Sequence, residues 1–203
     1  MILEIIILLL SYLFGAIPFG FLLTKKYAAK NILELGSGNI GSSNVRRIAG
    51  KKLSLITQVL DMAKGFLPVL MIKILEAFDS TLFSKGFIFY TAFASILGHN
   101  FSIFLKFKGG KGVNTTLGSF LLLTPLPVVT AGLVHLLVKK ISPYVSVASL
   151  ALSLSLPLSG VIFYGLSYEF FSLLLCCLLL FLRHTPNIKR LLAGSELYEK
   201  VKE

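Results

Sequence analysis

A chain of 203 residues that is 55% hydrophobic and only 14% charged, with mean hydropathy +0.85 and no tryptophan, is excluded from the ordinary soluble classes and falls among polytopic membrane proteins. Its net charge of +11 lies in short basic links between apolar runs. That is the positive-inside pattern, and without a compact basic module or an interleaved aromatic platform it excludes nucleic acid as a partner.

Apolar runs fall at residues 2–24, 53–75, 86–105, 113–138, 144–166 and 168–183, against the roughly 20 residues that a bilayer-crossing helix needs. The first begins at Ile2, carries Glu4 and has Lys25, Lys26 and Lys30 behind it. This reads as an uncleaved anchor with its N-terminus outside. In the second run, Asp61 and Lys64 stand three apart and neutralise one another, which reads as a buried structural pair. His99, in Gly98-His99-Asn100 at the end of the third run, and His135, within the fourth, are given structural roles.

The fourth run, taken as one span, puts Lys139 and Lys140 outside, opposite the other basic links. Thr124-Pro125-Leu126-Pro127 removes helical donors in its middle, so we split it into helices over 113–124 and 126–138 that meet near the outer face. Each is only ~18 Å long, so the bilayer thins locally or the pair is buried among other helices. Ser142 and Pro143 read as the N-cap and first residue of the next helix, which sets Ser146 and Ser149 on one face at its start. Cys176 and Cys177 are adjacent within the last run and do not pair with each other in an ordinary disulfide.

The expected architecture is one all-α domain over 1–203, a polytopic integral membrane protein with seven transmembrane helices, some short, the N-terminus outside and the C-terminus cytoplasmic. Lys25, Lys26, Lys30, Arg46, Arg47, Lys51, Lys52, Lys106, Lys108, Lys111, Lys139, Lys140, Arg183, Lys189, Arg190, Lys200 and Lys202 then face the cytoplasm, and the outer side keeps Lys73 and Lys85 with four acids. A five-helix alternative has the same two ends but strands Lys139 and Lys140 outside; the charge bias favours seven.

Three polar segments converge on the cytoplasmic side. Residues 36–50 supply Gly, Ser and Asn with the Arg46-Arg47 pair, either as a plain basic loop or as an anion nest. Lys108-Gly109-Gly110-Lys111-Gly112 precedes a helix N-terminus, where dipole, amides and ammonium favour phosphate. It is not a Walker loop, since Leu105 stands where the first glycine belongs and Gly112 follows Lys111. In the third segment, Arg183, His184 and Asn187 offer donors to an oxyanion or phosphate, and Pro186 is placed to break the helix between them.

No His is followed five positions later by Asp, the usual mark of CoA-dependent glycerolipid acyltransferases: Phe104, Lys140 and Lys189 stand at that offset. Nor is there a carboxylate cluster or His/Cys metal spacing, so no metal and no cofactor is expected. Such a site suits an already activated donor.

Ser37 to Arg47, Gly98 to Gly118 and Arg183 to Glu196 together resemble the bacterial membrane family of acyl-phosphate-dependent glycerol-3-phosphate acyltransferases, in order, spacing and length. The resemblance implies transfer of an acyl group from acyl phosphate to the sn-1 hydroxyl of glycerol 3-phosphate, in the inner membrane, with a soluble enzyme supplying the acyl phosphate. By position, Ser37, Arg47, Lys111, His184 and Asn187 would hold glycerol phosphate. Gly38, Asn39, Gly41, Ser43 and Asn44, with Gly109, Gly110 and Ser146, would complete the substrate site. The substrate's own phosphate is implied as proton acceptor. Ser42, Ser102 and Asn114 depart from the usual Ala, Pro and Ala. A transporter or channel for a phosphorylated solute is the competing reading; it predicts polar residues at mid-membrane on several helices and two related halves.

Overall fold

The computed structural model describes residues 1–198; Lys200 and Lys202, assigned above to the cytoplasmic side, lie outside them. Among the described residues the secondary structure is helical throughout, with no β-strand. Helix α1 (Ile2–Ala16) stops where Pro18 lacks a donor, and α2 (Phe19–Ala28) resumes beyond it. The first apolar run is therefore broken, where a continuous helix was expected. The break frees the carbonyls of Ala16 and Ile17, which accept hydrogen bonds from Ser102 Oγ at 2.6 Å and Lys64 Nζ at 2.8 Å.

Helix α3 (Ser42–Phe78) is interrupted at Gly50, whose φ of 85° lies outside the helical region. The short piece 42–49 is tied back to the long one by Ser54 Oγ, which donates to Ser42 O at 2.8 Å. Next come α4 (Phe87–Asn100), α5 (Val113–Phe120), α6 (Pro125–Ile141), α7 (Val145–Tyr164), α8 (Tyr168–Arg183) and α9 (Thr185–Leu192). The predicted split of the fourth run is present, with Pro125 and Pro127 opening α6. Helix α5 ends four residues earlier than expected, and Lys73 Nζ donates to the carbonyl of Leu122 just beyond it at 2.9 Å. Helix α7 starts at Val145, not at Pro143: Ser142 closes α6 and its Oγ accepts from Tyr144 N–H at 3.2 Å, a turn instead of a cap.

Four helical segments are long and apolar enough to cross a bilayer, Ile2–Ala28, Ser42–Phe78, Phe87–Leu105 and Val145–Tyr164, and a fifth results if α8 and α9, bent by 56°, count together. Helix α1 lies along α4, α3 along α5, and α6 and α8 along α7, whereas the consecutive helices α5 and α6 barely touch. A shared core closes the far end of the bundle, with Val69 and Ile72 from α3, Ile96 from α4, Phe120 from α5, Leu152 and Leu156 from α7, and Leu173 and Leu180 from α8. The wedge between α5 and α6 is thus left open at the other end.

Candidate active site

That wedge holds a cavity of about 530 Å³. Ser37, Asn39, Gly41, Ser43, Asn44 and Arg47 from the first loop and α3, Lys111 from the second loop, Ser146 from α7, and His184 and Asn187 from the α8–α9 joint all line it. Lys139 lines it too, so the end of α6 shares one site with the start of α5. This is the relation that the split run requires and that a single span over 113–138 forbids. A second cavity of about 340 Å³ opens on the other side of Lys111 towards Arg183 and Arg190.

The first loop is seated by a small apolar cluster of Ile32, Ile40 and Val45. Its shape is fixed by two asparagines. Asn44 Oδ1 accepts from Ser37 N–H at 3.0 Å, and its Nδ2 donates to Leu35 O and Asn39 O, each at 3.0 Å. Asn39 Oδ1 accepts from Gly41 N–H at 2.9 Å. Gly38 turns the chain at φ +67°; its N–H is spent on Leu35 O at 3.0 Å and it does not line the cavity. Asn44 and Asn39 thus shape the loop while lining the cavity, whereas Gly38 shapes it from outside the lining. The loop turns towards the cavity the hydroxyls of Ser37 and Ser43 and the first turn of α3, whose opening N–H groups have no intrahelical acceptor.

Gly109 and Gly110 also differ from expectation. Gly110 N–H donates to His99 O at 2.9 Å, Gly109 packs against the backbone of His99 and Asn100, Gly110 packs against the His99 ring, and neither glycine lines the cavity. Their carbonyls accept three bonds of 2.9–3.1 Å from Arg183, whose guanidinium also lies over the Phe101 ring at 5.0 Å. Arg183 therefore clamps the loop, while it also lines the second cavity. What the clamp delivers is Lys111. Burial pushes its ammonium down to about 8, with Glu196 opposing and Arg190, Arg47 and Arg183 reinforcing the shift.

His184 is 1% exposed and its Nδ1 lies 2.7 Å from Leu180 O, an acceptor only. The neutral ring therefore carries its proton on Nδ1 and keeps a lone pair on Nε2. Where a donor was expected, His184 brings an acceptor. Pro186 opens α9 and does not separate His184 from Asn187, both of which reach the cavity. Asn187 Nδ2 donates to Glu196 Oε1 at 2.7 Å, while its Oδ1 is buried without a partner. Ser146 Oγ, also buried and unpartnered, lines the cavity at the start of α7. Arg47 Nε and Nη2 donate to the carbonyls of Tyr198 and Leu197 at 3.0 and 3.2 Å, so the segment after α9 borders the site.

Three contributions escaped the sequence reading. Glu196, only 5% exposed, braces Asn187 and accepts from Arg190 Nε at 3.0 Å. Asp61 and His99 line the cavity, with Asp61 Oδ1 2.9 Å from Lys64 Nζ and 3.6 Å from His99 Nδ1. Finally, two of the departures from the family pattern meet: Asn114 Nδ2 donates to Ser42 Oγ at 3.2 Å, which links the first loop to α5.

A sequence profile for glycerol-3-phosphate acyltransferase matches residues 5–194. Among similar proteins, the glycerol-3-phosphate acyltransferase of Clostridium acetobutylicum is 40% identical over 198 residues, 97% of this chain and 100% of that one. That of Syntrophotalea carbinolica is 42% identical over 197 residues, 94% and 95% of the two chains. The fold is similar to the crystal structure of PlsY (YgiH), an integral membrane glycerol 3-phosphate acyltransferase, in its glycerol 3-phosphate form. The TM-score is 0.85 at 34% identity, covering 96% of this chain and 94% of that one. The lysophosphatidic acid form of the same protein superposes with a TM-score of 0.82.

Proposed function

The chain belongs to the glycerol-3-phosphate acyltransferase family, and we propose that its cavity takes an acyl group from acyl phosphate and passes it to the sn-1 hydroxyl of glycerol 3-phosphate. It is a multi-pass membrane enzyme that acylates glycerol 3-phosphate to lysophosphatidic acid in phospholipid biosynthesis, and the transporter reading falls with that. The observation that carries the donor assignment is the cavity's composition. Basic and amide groups stand at one end, an apolar groove leads away from them, and its acids, Asp61 and Glu196, are each paired with a cation.

In this reading Arg47, Lys111, Ser37 and Asn187 hold the glycerol phosphate, and the first turn of α3 with Ser43 holds the acyl phosphate. His184 Nε2 accepts from the attacking hydroxyl and orients it. The hydroxyl oxygen bonds to the acyl carbon, the bond from that carbon to the phosphate oxygen breaks, and the hydroxyl proton ends on the departing phosphate. With so good a leaving group, positioning and charge stabilisation supply most of the rate. The topology we propose has seven spans in the inner membrane, with α5 and α6 as a short pair, the N-terminus outside and the active site cytoplasmic; Lys111 and Lys139 at one cavity support it. A soluble enzyme would deliver the acyl phosphate to this face.

Purified protein given glycerol 3-phosphate should form lysophosphatidic acid and free phosphate with acyl phosphate and none with acyl-CoA; product from acyl-CoA alone overturns the donor assignment. A second expectation concerns pH. Phosphate dianion binds the protonated Lys111, and the empty site loses that proton above about 8. KM for glycerol 3-phosphate should therefore rise by up to ~10-fold per pH unit above that point, because one proton is taken up with the ligand. Lys111→Arg, still charged there, should flatten the rise; a wild-type KM constant from about pH 7 to about pH 9.5 would remove Lys111 from phosphate binding.

A further inference from the structure

Of the 17 glycines, Gly132 alone has neither a positive φ nor any atom within 4 Å of the place where a Cβ would stand. The other helical glycines are accounted for by close packing or, at Gly50, by a positive φ. Gly15 and Gly98 let α1 and α4 meet backbone to backbone, Gly65 and Gly118 do the same for α3 and α5, and Gly160 lies against Leu173. Gly132 sits inside α6, where glycine costs roughly 1 kcal/mol relative to alanine and relieves no clash. Local conformation and protein packing both leave it unexplained. The space beside it is part of the cavity.

The surroundings say what that space takes. Val129, Gly132, Leu133 and Leu136 form one face of α6 and line the cavity, with Leu117 of α5 and Leu152 of α7 among the other apolar walls. Val129, Leu133 and Leu136 are each more than half exposed, so in a membrane this wall opens sideways onto lipid. The groove is continuous with the basic end of the cavity, where Lys139 stands two helical turns from Gly132 on the same helix. An amphiphile with an anionic head fits that arrangement, its tail passing Gly132.

We propose that Gly132 is a specificity-determining residue for acyl-chain length, a gap in the α6 wall past which a long acyl chain runs. The proposal rests on the reading that this groove holds the donor's acyl group. A side chain at position 132 obstructs the outer part of the groove and leaves the headgroup end intact, so it discriminates against long chains.

The test compares decanoyl phosphate with palmitoyl phosphate as donors to glycerol 3-phosphate, using purified enzyme in lipid nanodiscs. Gly132→Leu should lower the palmitoyl-to-decanoyl ratio of kcat/KM by ~10- to 100-fold, the range that one or two misplaced methylenes give. Gly132→Ala, which favours the helix, should shift the ratio in the same direction by a smaller factor. KM for glycerol 3-phosphate should stay within about twofold, which reports a folded site. If Gly132→Leu is poorly folded, Gly132→Ala decides by itself: an unchanged ratio overturns the proposal. Leu136→Trp, one turn nearer the basic end, separates the proposal from its premise by hindering both donors. If Leu136→Trp impairs both donors while neither substitution at 132 moves the ratio, the role of Gly132 fails and the groove stands. If none of the three changes acyl-donor use, the assignment of the groove fails.

Discussion

Lys111→Ala should lower kcat/KM for glycerol 3-phosphate by about 10²- to 10³-fold, a loss of ~2–4 kcal/mol of transition-state stabilisation. The size follows from what the cavity lacks as well as from what it holds. Its carboxylates are occupied, Asp61 by Lys64 and Glu196 by Arg190 and Asn187, so neither stands ready as a base. The rate must come from fixing two anions against each other's repulsion, and Lys111 lines both cavities, where the two would meet. Its position is held by two independent clamps, Gly110 N–H on His99 O and Arg183 on the carbonyls of Gly109 and Gly110, so the charge needs little reorganisation during the reaction. Steady-state kinetics with saturating acyl phosphate make the check. A folded Lys111→Ala enzyme within about threefold of wild type would show that the site works without this charge.

The second large effect is on stability. Lys64→Met should destabilise the protein by ~3–5 kcal/mol, because it leaves a carboxylate uncompensated inside the bundle. Lys64 and Asp61 are 0% and 2% exposed. The same ammonium also satisfies the Ile17 carbonyl freed by Pro18 and lies 5.6 Å from the centre of the Phe19 ring. One side chain thus joins α3 to the break between α1 and α2. Replacing both charges, as Asp61→Leu with Lys64→Met, should recover most of the loss, because a buried pair exchanged for apolar groups is close to neutral. The Ile17 carbonyl would keep its bond from Phe19 N–H at 3.1 Å, so loss of the ammonium does not strand it. Thermal unfolding of the detergent-solubilised variants provides the measurement. A double variant no more stable than Lys64→Met would mean that the pair's charges are not what the fold depends on.

Much of this architecture is written locally in the chain. Apolar runs and basic links give the helices and their shared polar end, and Pro125 with Pro127 marks the α5–α6 turn because proline acts on its own neighbours. Pro18 acts in the same way, yet its break lies inside a continuous apolar run whose hydropathy outweighs one residue. Gly50 interrupts α3 through its own φ, between the basic pairs Arg46-Arg47 and Lys51-Lys52, where the sequence pattern reads as a loop although residues 42–49 are helical. The site divides along the same line. Lys111, Arg47 and Ser146 carry chemistry that a reader of residue types recognises. Asn44, Gly110 and Arg183 are also polar or glycine residues in the same loops, but their bonding capacity goes to partners found only in three dimensions: Leu35, His99 and the loop carbonyls. Glu196 belongs with them, since it ends the third motif without a role until Asn187 and Arg190 fold against it.

The bonds from Arg47 to the carbonyls of Leu197 and Tyr198, and from Asn187 to Glu196, carry a consequence for biogenesis. A nascent chain whose helices have all entered the bilayer still lacks the strip that braces two of the cavity-lining residues, Arg47 and Asn187. On the proposed roles of Arg47 and Asn187, catalytic competence arrives after insertion, with the emergence of the residues beyond α9, and a half-made enzyme presents its membrane with a scaffold before it presents it with an activity.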